Sequence, residues 1–155
     1  MKLFKHQIWL TCMVILLLVS LFLPVGQFGD SSGGAIHLTN FRIILPQAEN
    51  GASLWALGAV LIAAILVTLF CLLISGFKNF TLQKRLLIYS GFLLVGYYLL
   101  FVVFVLLMRN ESQFIPMWGS SFPCIALILN IMSIFSVQRT EAEIIAKSGS
   151  FRLRD

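Results

Sequence analysis

Four long runs of apolar residues, separated by polar segments, dominate the pattern along the chain. A helix that crosses a bilayer core of about 30 Å needs about 20 mainly apolar residues. The four runs approach or exceed that length, and none contains Asp, Glu, Lys or Arg. The pattern predicts an all-α fold, a transmembrane bundle with spans at approximately residues 7–24, 53–77, 86–108 and 117–138.

The composition supports this interpretation. Of the residues, 59% are hydrophobic and 11% charged, and the mean hydropathy is +0.97, whereas a soluble domain is about half apolar and a quarter charged. A soluble chain of this size could not hide so much apolar surface. We therefore expect the lipid bilayer as its environment and a single integral membrane domain over residues 1–155, with no room for a separate catalytic module.

The first run follows Lys2 and Lys5, an arrangement that also occurs in cleaved signal peptides. No small-x-small cleavage site follows Leu23. We therefore expect this run to be retained as the first helix.

The distribution of basic residues predicts the orientation, because cytoplasmic loops hold an excess of Lys and Arg. Arg42 and Arg109 lie on one side of the spans. The other side holds nine basic residues: Lys2, Lys5, Lys78, Lys84, Arg85, Arg139, Lys147, Arg152 and Arg154. We expect both termini to be cytoplasmic, with the longer loop between the first two helices outside. Trp55 and Trp118 then fall at the outer interface, where indoles are enriched.

That outer loop begins with a turn-rich stretch, residues 26–34. The alternating residues 35–39, followed by the apolar residues 41–45, are consistent with a small β-hairpin that rests on the helix ends. An irregular cap is the alternative, because Asn40 breaks the alternation.

Residues 139–155 are predicted to form a cytoplasmic tail. Its first part is rich in helix-forming residues and is expected to continue the fourth helix. Phe151 to Arg154 alternate apolar with basic, which suits either contact with anionic lipid or a frayed end.

Transporters, pumps and intramembrane enzymes usually place ionisable residues inside the bilayer. The four predicted spans contain no Asp, Glu, Lys, Arg or His. The remaining candidate is a polar cluster of Asn130, Ser133, Tyr97 and Tyr98 on the third and fourth helices. Asn130 and Ser133 share a helix face. The cluster could bind a substrate, but ordinary hydrogen bonds between helices are the favoured interpretation.

Small residues follow one face of the second helix: Ala52, Ala56, Ala59 and Ala63, with Gly58 beside them. Small residues let helix backbones approach closely. The spacing predicts a packing face, either for another helix of this chain or for a partner.

Catalytic and metal-binding patterns are missing from the sequence. Cys12, Cys71 and Cys124 lie in apolar runs without metal-ligand spacing, and no nucleophile or phosphate-loop motif is present. The net charge of +5 comes from basic residues in the loops and termini beside the predicted spans. We expect no catalytic residues, metal, cofactor or nucleic-acid partner, and no enzymatic activity.

Several segments carry a family resemblance: Leu21–Pro24 followed by Phe28, Phe77–Asn79 followed by Gln83–Leu86, and Ile145–Ser148 followed by Arg152–Arg154. They resemble a bacterial family of small four-helix membrane proteins, domain of unknown function 4293. The tail of this chain differs from the charged ending of that family by an extra residue between Ser148 and Arg152. The resemblance implies a multi-pass protein of the bacterial inner membrane and transfers no catalytic residues.

Two hypotheses follow. The first is a non-enzymatic accessory or assembly subunit of an inner-membrane complex, which contacts a membrane-protein partner or a second copy of itself. The alternative is a small transporter, channel or lipid-binding protein that uses the polar positions.

Overall fold

Four helices account for most of the structure, a computed structural model that describes residues 5–29, 35–44, 55–77, 79–108 and 114–152. Helix α1 spans Lys5–Phe22, α2 Trp55–Ser75, α3 Phe80–Met108 and α4 Ser121–Arg152. The all-α prediction with four helices is confirmed. Helix α3 begins six residues before the predicted span and thereby includes Lys84 and Arg85 in its first turns.

Three of the helices are long and apolar enough to cross a membrane: Trp55–Ser75, Phe80–Leu107 and Trp118–Ala146. The apolar part of α1, His6–Phe22, is shorter. At about 1.5 Å per residue, the 18 residues of α1 reach about 27 Å. Pro24 explains the early end, because proline disfavours the helical conformation of the preceding residue.

The helices form a ring in which consecutive helices are in contact and α4 packs against α1. Along each helix, a series of buried residues alternates in spacing between three and four. In α1 and α2 they are His6, Leu10, Met13, Leu17 and Ser20, and Leu57, Leu61, Ala64, Thr68, Cys71 and Ser75. In α3 and α4 they are Gln83, Leu87, Ser90, Leu94, Tyr97 and Phe101, and Pro123, Ala126, Asn130, Ser133 and Val137. This heptad repeat is the packing pattern of antiparallel helix bundles.

A four-stranded antiparallel sheet covers one end of the bundle, which we call the sheet end. Its strands are β1 Gly26–Gly29, β2 Ala35–Leu38, β3 Ile43–Ile44 and β4 Phe114–Pro116, in the order β3-β2-β1-β4. The predicted hairpin is confirmed, since Leu38 pairs with Ile43, and the irregular cap is wrong. The turn prediction is also wrong over β1, because this segment pairs with β2 on one side and with β4 on the other.

The opposite end, which we call the tail end, carries the extension of α4. The 32 residues of α4 correspond to about 48 Å, longer than the about 30 Å of a bilayer core. The predicted continuation of the fourth helix is thus confirmed. An ion pair between Lys84 of α3 and Glu141 of α4 ties the extension to the bundle.

Candidate functional site in the bundle core

At the sheet end, a fully buried asparagine joins three elements. Asn40 lies in the turn between β2 and β3, and its side-chain nitrogen donates to the carbonyl oxygen of Ser20 at 2.8 Å. The Tyr97 hydroxyl of α3 donates to the Asn40 oxygen, also at 2.8 Å. Ser20 lies in the last turn of α1, whose carbonyls have no partner within the helix. Asn40 therefore caps α1 and fastens the turn to α3.

Two glycines at the sheet end allow other segments to approach the helix backbone closely. A Cβ on Gly58 would lie 2.4 Å from the Phe41 ring, so the β2–β3 turn packs directly on α2. A Cβ on Gly119 would lie 2.3 Å from the Pro24 carbonyl oxygen. Real Cβ atoms essentially never approach so closely. The two glycines let the sheet and its connections lie against the helix ends.

The bundle core consists of two apolar clusters. The larger one lies toward the sheet and includes Ala64, Leu94 and Ala126. The smaller one, toward the tail end, contains Leu10, Cys71, Leu87 and Val137. On α2, α3 and α4, the core positions between the clusters are polar: Thr68, Ser90, Asn130 and Ser133. We call these four residues the middle layer.

Hydrogen bonding in the middle layer is incomplete. The Thr68 hydroxyl donates to the Ala64 carbonyl oxygen at 2.7 Å and lies 3.0 Å from the Ser90 oxygen. Since Thr68 has one proton to donate, Ser90 is the donor of the second bond. The Asn130 nitrogen and the Ser133 oxygen are buried without a partner. Such a buried group costs about 1–3 kcal/mol of stability when it stays unpaired, and functional sites are places where this occurs.

The structure divides the predicted polar cluster between two depths. Asn130 and Ser133 lie in the middle layer, and Asn130 Oδ1 is 3.6 Å from the position of a Cβ on Gly91. The hydroxyls of Tyr97 and Tyr98 bond instead to Asn40 and to the Ser120 carbonyl oxygen at the sheet end. Their hydrogen bonds thus belong to the attachment of the sheet end.

A second group of polar side chains lies at the tail end. The Ser75 hydroxyl is 3.0 Å from His6 Nε2 and accepts from Gln7 Nε2 at the same distance. Gln83 is fully buried, and its backbone carbonyl oxygen accepts from the Cys71 sulfur at 3.6 Å. Both side-chain atoms of the Gln83 amide have no partner.

The alanine face of α2 lies mainly on the outside of the bundle. Ala59 is exposed, Ala56 and Ala63 are partly exposed, and Ala52 lies outside the described residues. The buried face of α2 instead contains Leu57, Leu61, Ala64 and Thr68. The alanines are therefore not the main packing face within this chain.

Within the described parts of the chain, no group of three or more His, Cys, Asp or Glu residues is placed to hold a metal ion. Cys71 is buried, whereas Cys12 and Cys124 are exposed on the helix surface. All three are free thiols. Among the described residues, the buried polar side chains are hydroxyls and amides, together with the His6 imidazole.

Sequence reasoning missed Asn40, which it treated only as an interruption of a strand, and the pairing of Ser75 with α1. Asparagine favours turns. Its position between two β-like segments is the signal from which a turn at Asn40 could have been predicted. The pairing of Ser75 depends on how α1 and α2 align, which neither segment reveals alone.

The fold is a helical bundle capped by a small antiparallel sheet, and three of its described helices are long and apolar enough to cross a membrane. The chain belongs to the family described as Domain of unknown function (DUF4293), whose model matches residues 6–147. The expected family membership is confirmed. A comparison with curated proteins gives no match.

Proposed function

We propose that the chain is a multi-pass protein of the bacterial inner membrane that works through contacts, as a non-enzymatic accessory or assembly subunit. The observation that supports this is the uncovered alanine face of α2. Ala59 is exposed although the opposite face of the same helix is fully engaged inside the bundle. Small residues on a lipid-facing surface allow a second helix to approach closely.

The proposed orientation places the tail end in the cytoplasm. Lys84 and Arg85 lie in the first turns of α3 at that end, and Arg139 lies on the extension of α4. Arg42 lies at the sheet end, between β2 and β3. An excess of basic residues on the cytoplasmic side is the general rule for membrane proteins.

The experiment is affinity purification from native membranes in mild detergent, followed by mass spectrometry. The test variant is Ala59→Phe, and the matched control is Val102→Phe, which places the same ring on an exposed position of α3. We expect a stoichiometric partner, or a second copy of the chain, that Ala59→Phe releases and Val102→Phe retains. If no protein accompanies the wild-type chain, or both variants retain it equally, this proposal is wrong.

A second candidate function is the binding or passage of a small polar molecule or lipid group at the middle layer. The unpaired Asn130 nitrogen and Ser133 oxygen favour it. The variant Asn130→Leu separates the two candidates in a cell with a measurable phenotype. Loss of function with intact complexes would favour this second candidate, whereas unchanged function would favour the first.

A further inference from the structure

The hydrogen-bonding groups of the middle layer that have no protein partner define the chemistry of a molecule that could pair with them. The Ser90 proton is committed to Thr68, so Ser90 retains only acceptor capacity. Asn130 Nδ2 offers two protons without an acceptor, and the Ser133 hydroxyl offers one proton and two lone pairs. A molecule that pairs with both groups must accept from Asn130 and can either accept from or donate to Ser133. It must be uncharged, because the described core around it holds no ionised side chain.

The available space limits the size of this molecule. Asn130 is 1% exposed and Ser133 0%, and apolar clusters close the core on both sides. A Cβ on Gly91 would lie 3.6 Å from Asn130 Oδ1, an ordinary contact distance, so α3 leaves room for a group of about methyl size there. A water molecule is of that size, and buried waters in proteins typically make about three hydrogen bonds to otherwise unpaired groups.

We propose that the middle layer is a binding site for internal water, located between Gly91 of α3 and the polar side chains of α4. The water accepts from Asn130 Nδ2 and either donates to or accepts from the Ser133 hydroxyl. This site is independent of the proposed partner contact, because it lies inside the bundle and the alanine face lies outside.

The test is nuclear magnetic resonance of the full chain in nanodiscs with deuterated lipids. Cross-peaks between the water resonance and the Asn130 side-chain amide protons report water within a few ångströms. Gly91→Ala fills the space beside Asn130 with a methyl group. Gly96→Ala is the matched control on the same helix, because a Cβ there meets nothing within 4 Å.

We expect water cross-peaks in the wild type and in Gly96→Ala, and their loss in Gly91→Ala. If Gly91→Ala does not fold, Ser133→Ala replaces it, with at least a twofold loss of cross-peak intensity expected. Absence of water cross-peaks in the wild type overturns the proposal, as does full intensity in the folded Gly91→Ala or Ser133→Ala variant. Cross-peaks from Asn130 to a retained organic molecule instead of water would also overturn it and would favour the second candidate function.

Discussion

Two buried asparagines of this bundle have opposite surroundings. Asn40, at the sheet end, donates to a helix carbonyl and accepts from Tyr97. Asn130, in the middle layer, keeps a side-chain nitrogen without a protein partner. Both are essentially unexposed. Burial alone therefore does not distinguish a structural amide from a candidate binding group, but the completeness of its hydrogen bonding does.

The difference also separates two regions of the core. At the sheet end, polar side chains join α1, α3 and the sheet, with Tyr98 and Ser20 adding bonds to the connection before α4. In the middle layer, the polar groups interrupt an otherwise apolar core. We expect the sheet end to contribute more stability and the middle layer to tolerate change, and substitutions at Asn40, Gly119 and Asn130 test this comparison.

The largest effect is expected for Asn40→Leu. It leaves the Tyr97 hydroxyl and the Ser20 carbonyl buried without their partner, which should cost about 2–4 kcal/mol. Thermal unfolding in detergent, followed by circular dichroism, measures the effect. The control is Gln138→Leu, which replaces an exposed amide on α4. Equal midpoints for the two variants would contradict the anchoring role of Asn40.

Gly119→Ala should have the next largest effect. Its Cβ would meet the Pro24 backbone at 2.3 Å, and because the backbone must move, a cost of about 1–3 kcal/mol is expected. Gly96→Ala is the control and should be neutral or stabilising by up to about 1 kcal/mol, since alanine favours helix. A stability gain in Gly119→Ala would show that the connection before α4 is not tightly held.

The ion pair between Lys84 and Glu141 should contribute less, because both side chains remain partly exposed, at 29% and 27%. A double-mutant cycle with Lys84→Ala and Glu141→Ala should give a coupling of about 0.2–1 kcal/mol that decreases with added salt. Arg85→Ala, at the exposed neighbouring position, serves as the control for loss of charge. A coupling that salt does not change would rule out a screened surface pair.

The smallest effect on stability is expected for Asn130→Leu. Leu at this position deprives no protein group of a hydrogen bond with the Asn130 nitrogen, which has no protein partner, so the change in the free energy of unfolding should be small. The unfolding midpoint should therefore stay close to that of the wild type. A loss as large as that of Asn40→Leu would show that the two asparagines have equivalent structural roles and would remove the contrast between the regions.

The middle layer was only partly predictable from the sequence. Asn130 and Ser133 were identified because a polar residue stands out in an apolar run, and their three-residue spacing places them on one face. The sequence does not predict that the hydroxyls of Tyr97 and Tyr98 form their hydrogen bonds away from Asn130 and Ser133. This separation arises because those hydroxyls bond to the β2–β3 turn and to the connection before α4, which other parts of the chain supply.

The alanine face of α2 illustrates a second limit. Small residues predict close packing but do not indicate which surface they contact. In the structure, Gly58 contacts the β2–β3 turn, whereas Ala59 remains exposed. The neighbouring positions have different roles because the sheet approaches α2 from one side only.

The sequence by itself determined the helices, their suitability for a membrane and the unequal distribution of basic residues, because these are properties of short continuous segments. Only the tertiary structure decided which face of each helix is buried. The helices are apolar on most sides, so hydrophobic periodicity does not mark the core. It also decided which polar groups meet, since pairs such as Tyr97 with Asn40, or β1 with β4, depend on the alignment of distant segments.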